Sequence, residues 1–276
     1  MKIKLLGTRG SIPTPGKDTV KYGGNTTCID LTLNSGQKII IDAGSGMRVL
    51  SNEILSEKIN HINLFLTHSH WDHIQGFPFF IPIYIPNFSI KIFAASPTYE
   101  RLLDILKGQM KSIYYPVPFK QIGAKIEFEK IRKSGILIDG VKISSILTNH
   151  PLETHAFKFE EDGKTFVFMS DNELDHQDIA VVPYEEHLDF IKDSDVLIHD
   201  AQYEKREMKK HKSWGHSSWE QTVAFAKDGK IKTLYLTHYD PTRKDKQIDS
   251  IIKKANKLAG GELRIKGAQE GKEFEL

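Results

Sequence analysis

The feature that most constrains the fold is a repeated pattern in which an apolar, strand-like run ends in a residue able to bind a metal ion. Five runs have this form, and they end at His68, His150, Asp171, Asp200 and His238. In α/β sheets, ligands gather outside the carboxyl ends of the strands, where loops leave the rigid scaffold. The pattern therefore predicts that these five residues share one rim.

Strand-like and helical segments alternate along nearly the whole chain. Short β-type runs such as INLFL and KTFVFM are interspersed with helical segments such as 97–110 and 246–260. No low-complexity tract or Gly-, Ser- or Pro-rich linker divides the sequence, so we expect a single domain over residues 1–276, with sheets covered by helices. The aromatic and proline-containing piece around 99–124 is a candidate lid insertion over the site, with an ordinary surface loop as the alternative.

The composition bears on partners and location. The 276 residues include 38 basic and 36 acidic side chains, a balance that indicates neither nucleic acid nor an anionic membrane. No apolar run approaches the roughly 20 residues needed to span a bilayer, and the start of the chain does not have the form of a secretion signal. The single cysteine, Cys28, is compatible with a reducing compartment. We therefore expect a cytoplasmic protein without a membrane partner.

The stretch THSHWDHIQG, residues 67–76, contains three histidines and an aspartate within six positions. At an extended strand end, His68 and His70 project to the same side, about 6 to 7 Å apart at Cα, so both imidazoles can reach one metal ion. Asp72 and His73 point elsewhere and can serve a second ion. Without a cation, these groups would repel one another or be desolvated.

Four ligands do not complete two hydrolytic metal sites, so further ligands must come from distant parts of the chain. His150, Asp171 and His238 each follow an apolar strand-like run and are the candidates. Because a carboxylate usually bridges paired ions about 3.5 to 4 Å apart, Asp171 is the candidate bridge. Histidine and aspartate suit several divalent metals. We expect two divalent ions, with zinc as the preferred metal and manganese as the alternative.

The string HSHWDH, with His150, Asp171 and His238 downstream, resembles the metallo-β-lactamase superfamily of binuclear metallohydrolases over essentially the whole chain. The resemblance implies an α/β fold, an αββα sandwich in which two mixed β-sheets pack face to face with helices on both outer faces. It also implies how the ligands divide. The implied sets are His68, His70 and His150 for one ion and Asp72, His73 and His238 for the other, with Asp171 as the bridge.

Three more motifs resemble the RNase Z branch of this superfamily, namely GTRGSIPTPG at 7–16, HDAQ at 199–202 and GHSS at 215–218. The last two are similar to the HEAT and HST signatures, whose acid and histidine assist proton transfer to the leaving oxygen. The resemblance thus implies a catalytic pair of Asp200 and His216. Here the acid is one methylene shorter than glutamate, a departure that bears on the geometry of the pair.

The predicted site suits a phosphodiester. Two cations lower the pKa of a shared water toward about 7 and clamp the non-bridging oxygens, while an imidazole oriented by a carboxylate protonates the leaving alkoxide, worth about 10² to 10⁴ in rate. The same motifs resemble small cyclic phosphodiesterases of the RNase Z branch. The arm by which RNase Z enzymes grip tRNA should leave the body near the segment between His150 and Asp171, which has only 20 residues here. We therefore expect that hydroxide held by the ions hydrolyses a small cyclic phosphodiester, such as a cyclic nucleotide or phosphoribosyl cyclic phosphate. We expect Asp72 to be essential for catalysis.

Other functions stay open. An RNase Z-like endonuclease that processes tRNA 3′ ends would take nucleic acid in place of a small substrate. A non-hydrolytic di-iron redox protein is disfavoured by His70, because the oxygen-reducing branch resembles HxExDH, in which a carboxylate suits iron better. A non-catalytic zinc module would need only four ligands. Members of the RNase Z branch are commonly dimers, which implies a homodimer.

Three segments have both a structural and a functional interpretation. The segment YGGNTT at 22–27 is a phosphate-binding loop or a plain turn. Asp42 braces the metal loop or caps a helix. The basic run KREMKKHK at 205–212 is a solvated face or a patch that attracts an anionic substrate. The histidines without a predicted role are His61, His176, His187 and His211, and the undecided ones are His155 and His199.

Overall fold

The computed structural model describes residues 1–57, 59–132, 134–175 and 181–276. Two seven-stranded sheets form the centre of the molecule. The strands of the first sheet are β1 (Lys2–Gly7), β2 (Cys28–Thr32), β3 (Lys38–Ile41), β4 (His61–Phe65), β5 (Ser89–Ala94), β6 (Lys125–Lys130) and β14 (Glu273–Glu275). The strands of the second are β7 (Ile136–Ile138), β8 (Val141–Leu147), β9 (His155–Glu161), β10 (Lys164–Met169), β11 (Val196–Asp200), β12 (Thr233–Thr237) and β13 (Arg264–Gly267).

The helices within these ranges are α1 (Met47–Glu57), α2 (Trp71–Ile74), α3 (Thr98–Gln109), α4 (Tyr184–Ile191), α5 (Lys205–Met208), α6 (Trp219–Asp228) and α7 (Asp245–Ala259). Local chemistry accounts for several of their ends. Ser218 caps α6 reciprocally with Gln221, and α7 ends at Gly260, whose φ of +66° suits the left-handed C-cap. None of these helices has the length and apolar character that a membrane crossing would need.

The two sheets share one pattern of strand directions. The first has the order β14-β1-β2-β3-β4-β5-β6 and is parallel from β3 to β6. The second has the order β13-β12-β11-β10-β9-β8-β7 and is parallel from β10 to β13. A hairpin that turns at Asp162 and Gly163 joins β9 to β10. Both residues have positive φ, as a two-residue type I′ turn requires.

The buried apolar side chains form three layers. Between the sheets, Phe65 of β4 meets Phe157 of β9 edge to face at 5.5 Å, in a cluster that draws residues from both sheets. A second cluster packs α1 and α3 on the outer face of the first sheet, and a third packs α4, α6 and α7 on the outer face of the second. The predicted αββα sandwich is therefore confirmed, and the single domain over residues 1–276 stays a prediction.

Residues 99–124 contain most of α3, which packs against β5 and β6, followed by a loop that contains a 3₁₀ turn. Tyr115 anchors this loop, because its hydroxyl donates to the carbonyl of Pro78 at 2.6 Å and its ring meets Phe79 edge to face at 5.3 Å. Ile113 and Tyr114 beside it are exposed. The role of this segment as a lid stays a prediction.

Two short edge strands, β7 and β14, are not predicted by the sequence. Each has only three residues, too few to display a period of two. β14 closes the first sheet by pairing with β1 from the other end of the chain, a contact that no local pattern indicates.

Candidate metal centre

The ends of several strands converge on one rim, as the sequence predicts. His68 and His70 follow β4, His150 follows β8, and Asp171 follows β10. His238 comes directly after β12, and Asp200 ends β11. The turn of α2 presents Asp72 and His73 to the same place. All seven predicted ligands therefore fall into overlapping groups in which the potential donor atoms lie within 4.8 Å of one another.

One group consists of His68, His70 and His150. Nε2 of His150 lies 3.0 Å from Nδ1 of His70. Burial lowers the pKa of His68 well below its ordinary value, and His73 lowers it further; burial is also the main reason that the pKa of His150 falls to about 4. These imidazoles are therefore neutral near pH 7, the form in which a ring nitrogen binds metal.

A second group consists of Asp72, His73 and His238. Oδ2 of Asp72 lies 3.1 Å from Nε2 of His238 and 3.4 Å from Nε2 of His73. Burial would raise the pKa of Asp72, but the two imidazoles lower it more, so the carboxyl group stays ionised. Asp72 thus gives this group an ionised carboxylate, which the group of His68, His70 and His150 lacks.

Asp171 lies between the two groups. Its Oδ1 is 4.0 Å from Nε2 of His68, and its Oδ2 is 3.2 Å from Nε2 of His73 and 3.5 Å from Nε2 of His238. One oxygen therefore faces each group, as a bridging carboxylate must. Asp171 and His238 have φ values of +57° and +56°, a conformation uncommon outside glycine that concentrates at functional sites.

The donor set fits divalent cations. Among the described residues, Nε2 of His68 and of His73 are buried without a hydrogen-bond partner, although buried polar atoms are normally satisfied. A cation among imidazoles and carboxylates would satisfy both nitrogens and neutralise the carboxylates. The two groups and the carboxylate between them match the ligand sets that the resemblance implies, and the individual ligand roles stay predictions.

In four candidate ligands, Nδ1 points away from the cluster and lies close to an oxygen atom that fixes the ring. His73 Nδ1 lies 2.8 Å from Oδ2 of Asp42, and His68 Nδ1 lies 3.0 Å from the hydroxyl of Thr67. Asp42 itself is fully buried and accepts from the amide of Thr67 at 2.8 Å. Of its two predicted roles, bracing of the metal loop is thus the one observed. Such outer partners hold the tautomer that exposes Nε2 to a metal.

The other two rings are held by the second sheet's loops. His150 Nδ1 lies 3.1 Å from the carbonyl of Gly215, and His238 Nδ1 lies 3.0 Å from Oε1 of Gln202. On the carboxylate side, the amide of Ser11 donates to Oδ2 of Asp72 at 2.7 Å. The glycine-rich start and the HDAQ and GHSS motifs therefore all contact predicted ligands.

Asp200 and His216 form the predicted pair beside this cluster. His216 Nδ1 lies 2.9 Å from Oδ2 of Asp200, so the shorter acid still reaches its partner. Asp200 is fully buried, and its other oxygen accepts from the amide of Ser217 at 3.2 Å. Burial would raise the pKa of Asp200, but hydrogen bonds from His199 and His216 lower it on balance. His216 also lies in one metal-capable group with His150 and Asp171.

The turn YGGNTT and the two undecided histidines lie outside the candidate metal cluster. In YGGNTT, the amides of Gly24 and Asn25 donate to Oε2 of Glu270 at 3.0 and 3.1 Å, so this turn binds a carboxylate of the chain itself. Nε2 of His155 donates to the carbonyl of Ser96 at 3.2 Å, outside the cluster. Nδ1 of His199 lies 3.3 Å from Oδ1 of Asp200. His176 lies outside the described residues.

Sequence reasoning missed several residues that position the ligands. Thr67, Gln202 and Ser11 all lie inside quoted motifs, and that position is the only local signal for them. Glu173 carries no motif at all. It is buried, and its carboxylate accepts from the amides of Ser213 and Gly215 at 3.1 and 2.9 Å, which ties the loop after β10 to the loop that carries His216.

Comparison with known proteins agrees with this site. The profile of the beta-lactamase superfamily domain matches residues 37–239. Ribonuclease Z of Oceanobacillus iheyensis is 21% identical, over 94% of this chain and 95% of that protein. The metallo-beta-lactamase fold protein YhfI of Bacillus subtilis is similar in structure with a TM-score of 0.73 at 18% identity, covering 100% of this chain and 99% of that one. A diphosphatase of the PhnP family has a TM-score of 0.69 at 18% identity, covering 100% and 97%.

The fold and the cluster define a metallohydrolase of the αββα type. The chain belongs to the beta-lactamase superfamily. The predictions that it is an enzyme of the hydrolase class and that it binds divalent metal ions are confirmed at this level.

Proposed function

We propose that this protein is a phosphodiesterase that uses two divalent ions to hydrolyse a small cyclic phosphodiester. The observation that carries the proposal is the position of Asp171 between two three-residue groups, with the Asp200–His216 pair at 2.9 Å beside them. A single structural ion would need only four ligands. A paired site beside a proton donor is suited to displacement at phosphorus.

The residues divide the chemistry among them. The set His68, His70 and His150 would hold one ion and the set Asp72, His73 and His238 the other, with Asp171 shared. Bound divalent ions supply charge that stabilises the phosphoryl oxygens and acidify water. Asp42 and Gln202 hold two of the imidazoles by their Nδ1 atoms, so that each Nε2 faces inward.

His216 is the proposed general acid. Asp200 accepts from its Nδ1 and orients the ring, which leaves Nε2 to hold the proton that a leaving alkoxide takes up. The ring is stacked near that of His238 at 5.1 Å, so the proton lies next to the metal cluster. The leaving group should therefore lie on the His216 side of the phosphorus.

The path of the chain between His150 and Asp171 supports a small substrate. Residues 155–169 in this segment form the β9–β10 hairpin, whose strands stay within the second sheet. Within the described residues, no arm leaves the body there to grip a large RNA. The near balance of charge, 38 basic against 36 acidic residues, points the same way.

Hydrolysis assays test the proposal. Protein loaded with zinc or manganese is screened against bis-p-nitrophenyl phosphate, cyclic nucleotides and phosphoribosyl cyclic phosphate. We expect turnover of at least one cyclic substrate and its loss in Asp72→Ala. Equal activity in Asp72→Ala, or no hydrolysis of any of these by fully metallated protein, would overturn the assignment.

An RNase Z-like endonuclease is the second candidate, because curated relatives covering most of this chain are named Ribonuclease Z. The basic run at 205–212 beside the site offers phosphate contacts for either substrate. Cleavage of precursor tRNA at its 3′ side, with no turnover of cyclic nucleotides in a parallel assay, would favour this candidate. Whether the protein forms a homodimer is a separate prediction that sedimentation tests.

A further inference from the structure

Trp214 is an exposed aromatic side chain beside the proposed proton donor. It is 57% exposed and precedes His216 by two positions, whereas Trp219 in the next helix is buried. A single exposed aromatic is common on protein surfaces, but this one lies on a loop beside the proposed proton donor, and loops held by a rigid scaffold often carry binding residues. Its position therefore suits a ligand with a flat ring that stacks on the indole.

The backbone on both sides of Trp214 is fixed to the candidate site. The carboxylate of Glu173 accepts from the amides of Ser213 and Gly215 at 3.1 and 2.9 Å. Gly215 has φ of +82°, and a Cβ there would lie 2.1 Å from Nδ1 of His150. Glu173 thus holds the turn on both sides of Trp214, and Gly215 packs against the candidate ligand His150, so the backbone that carries the indole is fixed.

Aromatic rings connect Trp214 with the proton donor. Trp214 meets His211 edge to face at 4.8 Å, and His211 is stacked on Tyr203 at 4.1 Å with only 8° between the planes. Tyr203 in turn meets His216 edge to face at 6.1 Å. These four residues, Trp214, His211, Tyr203 and His216, form one aromatic wall. It extends from solvent to the ring that protonates the leaving oxygen.

The surroundings suit a nucleotide on this side. Lys209, Lys210 and Lys212 are exposed in the same segment, and their charge favours a ligand that also carries phosphate. Bases stack on aromatic side chains largely without regard to sequence, because every base has a π face. A sugar phosphate without a base would leave the indole uncovered.

We propose that Trp214 is the stacking platform for the base of a nucleotide whose leaving oxygen is protonated by His216, which makes nucleoside cyclic phosphates the substrate class. The inference rests on the proposed phosphodiesterase function. It separates a cyclic nucleotide from phosphoribosyl cyclic phosphate, which carries no base.

Two substrates with the same five-membered cyclic phosphate test the platform, adenosine 2′,3′-cyclic phosphate and phosphoribosyl 1,2-cyclic phosphate. In Trp214→Ala, we expect KM for the adenosine substrate to rise about 5- to 150-fold, the range that loss of one base–aromatic stack gives. The KM for the base-free substrate should not change, and Trp214→Phe should restore most of the loss. Leu258→Ala, which removes a 50% exposed side chain from α7, is the matched control. Equal effects of Trp214→Ala on both substrates, or no effect on either, overturn the inference.

A binding measurement separates failure of this inference from failure of the proposed function. Calorimetry with adenosine monophosphate and with ribose 5-phosphate needs no turnover. If fully metallated wild-type protein hydrolyses none of the phosphodiesters in the screen, the proposed function fails. A selective loss of adenosine monophosphate binding in Trp214→Ala would still support the platform, and equal binding by wild type and Trp214→Ala would refute it.

Discussion

Replacing Asp42 by asparagine tests how the outer hydrogen bonds govern metal affinity. The two carboxylate oxygens of Asp42 accept from different donors, Oδ1 from the amide of Thr67 at 2.8 Å and Oδ2 from Nδ1 of His73 at 2.8 Å. Asparagine has only one acceptor oxygen, so its NH₂ group must face one of these donors. If it faces the ring, Nδ1 must accept, the proton moves to Nε2, and Nε2 no longer binds metal.

The expected loss is large because the other oxygen beside Nδ1 of His73, the Thr67 hydroxyl, lies 3.5 Å away, against 2.8 Å for Oδ2 of Asp42. Outer-shell substitutions typically cost about 10- to 100-fold in metal affinity, and the forced change of tautomer places Asp42→Asn near the upper end, about 2.8 kcal/mol. Backbone strain does not confound the result. Asp42 has φ of +60°, and asparagine tolerates that conformation as well as aspartate does.

Competition titration with a chromophoric chelator measures the affinity, and elemental analysis gives the number of ions per chain. The matched control is Asp30→Asn, which also changes a buried carboxylate of the first sheet, one that is paired with Lys38 at 2.8 Å. Asp30→Asn should lower the free energy of unfolding and leave metal affinity unchanged. If Asp42→Asn binds both ions as tightly as wild type, the argument from the tautomer of His73 is wrong.

Three further predictions concern the bridge, the proton donor and a buried histidine. Asp171→Ala should reduce the metal content below two ions per chain and lower affinity by more than the about 10- to 100-fold of an outer-shell change; elemental analysis and chelator competition measure both. His216→Ala should lower kcat about 10²- to 10⁴-fold for an alkoxide leaving group but far less for p-nitrophenolate, which needs no protonation, and the ratio of the two losses is the readout. Burial lowers the pKa of His187, so the unfolded chain takes up its proton first, and stability is lost as the pH falls below about 6.5. His187→Gln should therefore lose less free energy of unfolding than wild type between about pH 7.5 and about pH 5.5 in urea titrations.

Each of these has an outcome that would count against it. Two tightly bound ions in Asp171→Ala would mean that the carboxylate does not bridge. Equal losses for both leaving groups in His216→Ala would assign that ring a purely structural role. An acid sensitivity of His187→Gln identical to wild type would mean that other groups account for the acid dependence.

The residues that sequence reasoning located best are those whose signal is local. The HSHWDH string names four of the seven predicted ligands within six positions. Residues this close in sequence stay close in space, and His68 and His70, two apart on an extended strand end, project to the same side. The strand-like runs that precede His150, Asp171 and His238 are likewise visible at short range, and the structure brings all three to the rim. The αββα architecture followed from the resemblance that these motifs carry.

Other features depended on contacts between distant parts of the chain. Asp42 had two equally good local interpretations, and only the approach of His73 from 31 positions away decides for bracing. The amides of YGGNTT had a phosphate as one candidate partner, whereas Glu270 from the last residues of the chain is bound to them. No local pattern records which side chain arrives from afar, because burial and packing select it only once the sheets have formed.

The sequence by itself thus determined the kinds of donor atom and the strand ends that carry them, since these depend on residue type and a period of a few residues. The tertiary structure decided which oxygen holds each imidazole and how close Asp171 comes to both groups. His238 and Asp72 are 166 positions apart, yet Nε2 of the one lies 3.1 Å from Oδ2 of the other. A distance of that kind follows from the packing of two sheets and not from any segment of the chain.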